Sequence, residues 1–364
     1  MQPPSRRTFL ALGLITLASA CTGSPGGDPD GDVLPGNRRP GPDPDLAVRL
    51  RALAATDTLL AAYDSALAAP DARTALLQPL RAETAQHRAA LAYGVPAASV
   101  PPTSAATTPA ANATPTATTT PTAPATPATP ATPATPAALA ALAALERRTA
   151  QFRLAELGAA RPPLARLLAS VAAANTLHAT ALDPTDQGID QPAATTAPKP
   201  DAPGTGSAPG TGSTPGTDSV PALQNALGAE HAAVYGYGVV GAHLSEDRPR
   251  ADARTAHAAH QAQRDAWQRL LTTLGATPTP AAGGYQLPFP VTDAPAATRL
   301  AAHLETRLSA VYADLVAALP AAQRPTAATA LRDCALRARR WGAPDTAFPG
   351  IPETVPTPTA TPRP

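Results

Sequence analysis

Apolar residues recur along the chain at alternating steps of three and four, the spacing that lines one side of an α-helix. In the first such stretch Leu46, Leu50, Leu53, Asp57, Leu60, Asp64 and Leu67 form the seam. The second runs from about Asp71 to Tyr93 and aligns Leu77, Leu80, Thr84, His87 and Leu91; Pro79 predicts a bend or a restart there. Helical pattern resumes at Ala137 with Leu139, Leu142 and Glu146. A fourth stretch opens on Pro162-Pro163, suited to a first turn, and carries Leu164, Leu168, Val171, Asn175, His178 and Leu182 in step.

The second half repeats this plan with shorter connections. Leu223, Leu227, Glu230, Val234, Tyr237 and Gly241 make one seam; Ala253, His257, His260, Arg264, Trp267 and Leu271 follow Pro249 on the next. Asp293 is placed to cap a third helix with Ala301, Glu305, Leu308, Tyr312 and Leu315 on its seam. The fourth follows Pro325 and aligns Leu331, Cys334, Ala338 and Trp341. Ala144-Leu145-Glu146-Arg147-Arg148 matches His303-Leu304-Glu305-Thr306-Arg307, each on the third helix of its set. The pattern predicts an all-α chain of two up-down four-helix bundles.

Composition divides these helices into domains. The 364 residues include 46 Pro and 24 Gly, gathered in segments with few large apolar side chains. Such segments bury too little surface to offset the entropy of ordering, so disordered Pro/Thr/Ala-rich tethers are expected at 22–44, 95–136 and 183–217, with a Pro-rich tail at 344–364. The N-terminal bundle then spans 45–182, interrupted by 95–136, and the C-terminal bundle spans 218–343. Tyr235 and Tyr237, two apart on one helix, should divide between surface and core. Leu287 and Phe289 should pin the crossover loop 276–291.

Charge narrows the partners. With 28 basic and 27 acidic residues and no basic stripe, nucleic acid is not an expected partner. Past residue 20 no apolar run is long enough to span a bilayer. The start is different: Ser5-Arg6-Arg7-Thr8-Phe9-Leu10 leads into a short apolar run ending in Ala18-Ser19-Ala20-Cys21. A twin arginine, an apolar core and small residues before a cysteine read as a signal peptide over 1–20 for twin-arginine export. The cysteine resembles the lipid-attachment residue of bacterial lipoproteins, although Ala18 stands where Leu is usual. This resemblance implies an exported protein held by lipid at Cys21 on the outer face of the cell membrane. Cys334 is then unpaired and expected to be a small buried hydrophobe.

Acids and histidines fall on the apolar seams, where burying them costs free energy unless a partner satisfies them. They are Asp57, His87, Glu146, Asn175 and His178 in the first bundle, and Glu230, His257, His260 and Glu305 with Asp333 at the edge in the second. The arrangement resembles the ferritin-like superfamily, in which two helices each give a Glu and two others each give a Glu-x-x-His pair. That resemblance implies two ferritin-like bundles. It further implies a metal site, for Fe or Mn, at Glu230, His257, His260, Glu305 and Asp333, with a second at Asp57, His87, Glu146 and His178. Neither set has the full complement of carboxylates and histidines, so at most one ion per bundle is expected. The alternative is a satisfied hydrogen-bond cluster with no metal, for example Glu230 with His260 and Arg264.

Ala229-Glu230-His231-Ala232-Ala233-Val234-Tyr235-Gly236-Tyr237-Gly238, Tyr285 to Val291, and Ala347-Phe348-Pro349-Gly350 are more specific. Over roughly 218–352 they resemble an actinobacterial ferritin-like domain family of unknown function, DUF4439. No nucleophile triad, phosphate loop or zinc-finger spacing appears. Two functions follow as expectations. One is a non-enzymatic, lipid-anchored binding or structural protein whose partner is an envelope protein or glycan. The other is a metal-binding protein or oxidoreductase using the core acids and histidines.

Overall fold

A computed structural model describes residues 43–69, 73–100, 136–184 and 219–352. Regular structure among them is entirely helical. The first quartet is α1 (Leu46–Leu67), α2 (Thr74–Ala92), α3 (Pro136–Ala155) and α4 (Pro162–Leu182); the second is α5 (Val220–His243), α6 (Asp247–Thr273), α7 (Ala294–Ala318) and α8 (Arg324–Arg340). The signal peptide, Cys21 and most of the proposed tethers lie outside the described residues.

Local chemistry explains the boundaries. Pro162, Pro163 and Pro325 occupy first turns, where a missing N–H costs nothing. The Asp293 side chain accepts a hydrogen bond from the Ala296 amide at 2.7 Å and caps α7 as expected. Pro79 neither bends nor restarts α2 enough to break it. The helix continues to Ala92, because the proline sits near its start and removes a single backbone bond.

Within the first quartet α1 packs on α2 and α3, and α3 on α4; within the second α5 packs on α6 and α7, and α7 on α8. The two quartets are joined by α4, which also lies against α7 and α8. Alanine, leucine and valine surround most of α4, and a helix apolar nearly all round must be covered nearly all round. One core therefore runs from Leu53, Leu164 and Leu168 through to Leu227, Leu308 and Leu331. Arg324 adds polar ties, donating to the carbonyls of Leu157 at 2.8 Å and Ala160 at 2.5 Å.

The expected Pro-rich tail begins later than composition suggests. Residues 344–352 are packed, and Ala347 is buried in the first bundle. His87 Nε2–H donates to the Ala347 carbonyl at 2.7 Å, while Phe348 sets its ring edge-on to His87. Ser170 Oγ donates to the Pro349 carbonyl at 2.8 Å. Gly350 has φ +78°, and a Cβ there would lie 2.3 Å from the Ser309 carbonyl oxygen. Apolar burial and these bonds to backbone carbonyls order the segment despite its proline content.

Candidate functional site

Each bundle holds one buried polar centre, and the two are built alike. In the second, Tyr237 on α5 donates to Glu305 Oε1 on α7 at 2.6 Å. His260 on α6 bridges two carboxylates, with Nε2 3.0 Å from Glu305 and Nδ1 2.8 Å from Glu230 on α5. Arg337 on α8 donates Nε to the same Glu305 oxygen at 2.7 Å, and Tyr312 donates to Glu230. Trp267 in turn donates to the Tyr312 oxygen at 3.2 Å.

In the first bundle Tyr63 on α1 donates to Glu146 Oε1 on α3 at 2.6 Å. His178 on α4 bridges Glu146 at 3.0 Å and Glu83 on α2 at 3.0 Å. Asn175 donates to the other Glu146 oxygen at 2.6 Å and accepts from Arg153 at 2.7 Å; Arg153 also reaches Thr56. The short repeat that pairs Glu146 with Glu305 thus marks two carboxylates with one role. Each accepts from a tyrosine and from a histidine that is shared with a second glutamate.

A ring whose two nitrogens both face carboxylates is best served by carrying both protons. Burial works against that charge, but Glu305 and Glu230 outweigh it and raise His260 to about 9. His178 is raised to about 9 in the same way, with Glu146 and Glu83 overcoming burial. Glu305, despite its own burial, is held down at about 2 by Arg337 and His260. Burial and the adjoining carboxylates push the Tyr63, Tyr237 and Tyr312 hydroxyls up, so they remain donors. Burial also pushes the Cys334 thiol well up, which fits a packed hydrophobe.

Formal charge closes in each centre. Glu230 and Glu305 face His260, with Arg337 also on Glu305; Glu83 and Glu146 face His178, and Arg153 reaches Glu146 only through Asn175. His87 stands apart as the neutral histidine: burial first, then the positive His178 and Arg153, hold its pKa well below the usual range. Its Nδ1 has no partner among the described residues, and a bare lone pair is less costly to bury there than a charged N–H would be.

Several expected ligands are elsewhere. Asp57 pairs with Arg88 at 2.5 Å near the surface of the first bundle. His257, three positions before His260 and only half-buried, lines a groove between α5 and α6 and bonds neither Glu230 nor Glu305. Asp333 bonds its neighbour Arg332 and reaches only the rim of a cleft of about 370 Å³ between α6 and α8, which leads down to Glu230, His260 and Arg337. Arg264 bonds Asp265, so the cation that completes the Glu230–His260 cluster is Arg337. Glu83, Tyr63, Tyr237, Tyr312, Arg153 and Arg337 were not among the expected site residues. Among the described residues no group of three or more His, Cys, Asp or Glu is placed to hold a metal ion.

Residues 222–353 match the family described as a domain of unknown function, DUF4439. A crystal structure of a conserved hypothetical protein from Mycobacterium tuberculosis is 38% identical, the match covering 35% of this chain and 97% of that one, with a TM-score of 0.33. The chain belongs to the DUF4439 family. The DUF4439 match takes in nearly all of α5, then α6 to α8 and the packed segment through Pro352, and so contains the whole Glu230–His260–Glu305–Arg337 centre. The first bundle falls outside it. No curated protein matches the chain.

Proposed function

We propose that the protein is a non-enzymatic binding or structural component of the cell envelope, exported by the twin-arginine route and held by lipid at Cys21 on the outer face of the membrane. Its two helical bundles descend from a ferritin-like plan in which the protein's own cations have taken the metal's place. One observation supports this most: Glu230 and Glu305 share His260, with Arg337 also on Glu305, and Glu83 and Glu146 share His178, so the protein's own cations already occupy each buried centre. Coordination of Fe or Mn needs an unprotonated ring nitrogen and free carboxylate lone pairs. His260 turns both ring nitrogens to carboxylates, and Glu305 Oε1 already accepts from Tyr237, His260 and Arg337, which leaves Glu305 Oε2 as the single unpartnered carboxylate oxygen of the centre among the described residues. The residues present do not fit the metal that the superfamily resemblance implies.

The export reading rests on the Arg6-Arg7 pair and the apolar run before Cys21. No described helix is long and apolar enough to cross a membrane. One preparation tests both halves: native cells grown with added Fe and Mn are fractionated and the purified protein is analysed for metals. Wild type should sit in the membrane fraction with far less than one ion per chain, and Cys21→Ser should leave that fraction. Stoichiometric metal that disappears in Glu230→Ala with His260→Ala, or a Cys21→Ser protein that stays in the membrane, would contradict the proposal.

A further inference from the structure

The groove that holds His257 lies between the end of α5 and the start of α6, on a different face of the second bundle from the α6–α8 cleft. It encloses about 350 Å³ over a floor formed by Tyr237. Arg250, Arg254 and His257 line one wall, at spacings of four and three that set them on one side of α6. The opposite wall is Gly238 and Gly241 of α5.

Three features of this groove go unexplained by packing. No carboxylate lines it. Asp252 is turned to Arg340 on α8, at 2.6 Å, and Glu246 and Asp247 lie at the head of α6, away from the lining. Arg250 and Arg254 are both exposed, and neither is in an ion pair among the described residues, so their guanidiniums are open to a ligand. The glycines are the third feature. A Cβ at Gly238 or Gly241 would meet nothing within 4 Å. Alanine would fit at both positions and is the better helix former, in a chain rich in alanine. What glycine adds is bare backbone that a ligand is able to approach closely.

We propose that this groove binds a phosphate ester group, gripped by the Arg250 and Arg254 guanidiniums with the His257 ring beside them. The planar guanidinium fork matches the oxygens of a phosphate. A small phosphate ester and the headgroup of an anionic phospholipid both carry this chemistry. The site shares Tyr237 with the Glu305 centre, but its ligand-facing groups are Arg250, Arg254 and His257, and it does not depend on the lipid at Cys21.

The test uses the full chain and two probes: glycerol 3-phosphate by titration calorimetry, and phosphatidylglycerol vesicles by co-sedimentation against phosphatidylcholine vesicles. Binding of at least one phosphate probe is expected. Binding of the free ester names a soluble ligand, and binding of the vesicles alone names the headgroup; either sustains the proposal. Arg250→Ala with Arg254→Ala, on an exposed helix face, should weaken that binding about tenfold or more. Gly238→Ala with Gly241→Ala should raise the Tm and weaken binding together, which a purely structural role would not do. Failure of wild type to bind either probe, or an affinity unchanged in either double variant, overturns it.

Discussion

Arg337 shows at the scale of one residue how each centre holds together. Its guanidinium is the only donor from α8 that reaches Glu305, whose second oxygen has no partner among the described residues. A buried carboxylate stripped of one of its two cations keeps its desolvation cost and loses its compensation. Arg337→Met, which retains the apolar stem, should therefore destabilise the fold by about 3–5 kcal/mol in urea unfolding. A loss within error of zero would mean that Arg337 is incidental. The seams made Glu146, Glu230, Glu305, His178 and His260 legible, because a helical period places polar groups among leucines. The hydroxyls were harder to see, since tyrosine on a seam looks like any core aromatic. Arg337 carried no signal of its own, because it stands among the arginines of the last turn of α8 with Arg339 and Arg340 and spacing does not tell which of them turns inward.

At the scale of an element, the packed segment after α8 shows how few contacts order a proline-rich stretch. Composition assigned 344–364 to a tail because it weighs residue types and not partners. The bonds that decide the matter come from His87 and Ser170, far away in sequence. Gly350 is the tightest point, both for its positive φ and for its approach to the Ser309 carbonyl. Gly350→Ala should cost about 1–3 kcal/mol by strain and free the segment locally. Hydrogen exchange would show this as lost protection at residues 346–351 with α5 and α6 unchanged. Undiminished protection there would contradict the packing described. Among the described residues helix number and type were legible, since Ala-rich amphipathic runs leave no competing period; the seam of α1 was not, its buried face running through Ala52, Thr56, Leu59 and Tyr63 and leaving Asp57 and Asp64 outside.

The whole molecule is two quartets around α4, and its pH response should reflect both centres at once. His178 and His260 are raised above their ordinary value of 6.5, so the stability they contribute is full below pH 6.5 and drains away as pH rises toward 9. His87 is depressed, so its contribution is present above pH 6.5 and is lost as pH falls below it. Glu305 adds a further loss on the acid side, below its ordinary 4.5 and down to about 2. The unfolding free energy should accordingly peak near pH 6.5 and fall on both sides, as denaturant midpoints across pH 4–9 would record. A profile flat from pH 6.5 to 9 would count against the imidazolium bridges. How α4 serves both quartets was not readable from periodicity, which reports that a face is apolar but not what covers it.

All of this turns on one protonation state. Nitrogen-15 NMR of ring-labelled histidine, with His178→Gln and His260→Gln variants for assignment, reads that state directly. At pH 7.5, His178 and His260 should both appear as doubly protonated imidazolium and lose their proton only near pH 9. Neutral rings at pH 7.5, or resonances that shift when Fe or Mn is added in equal amount, would contradict a centre closed by the protein's own cations.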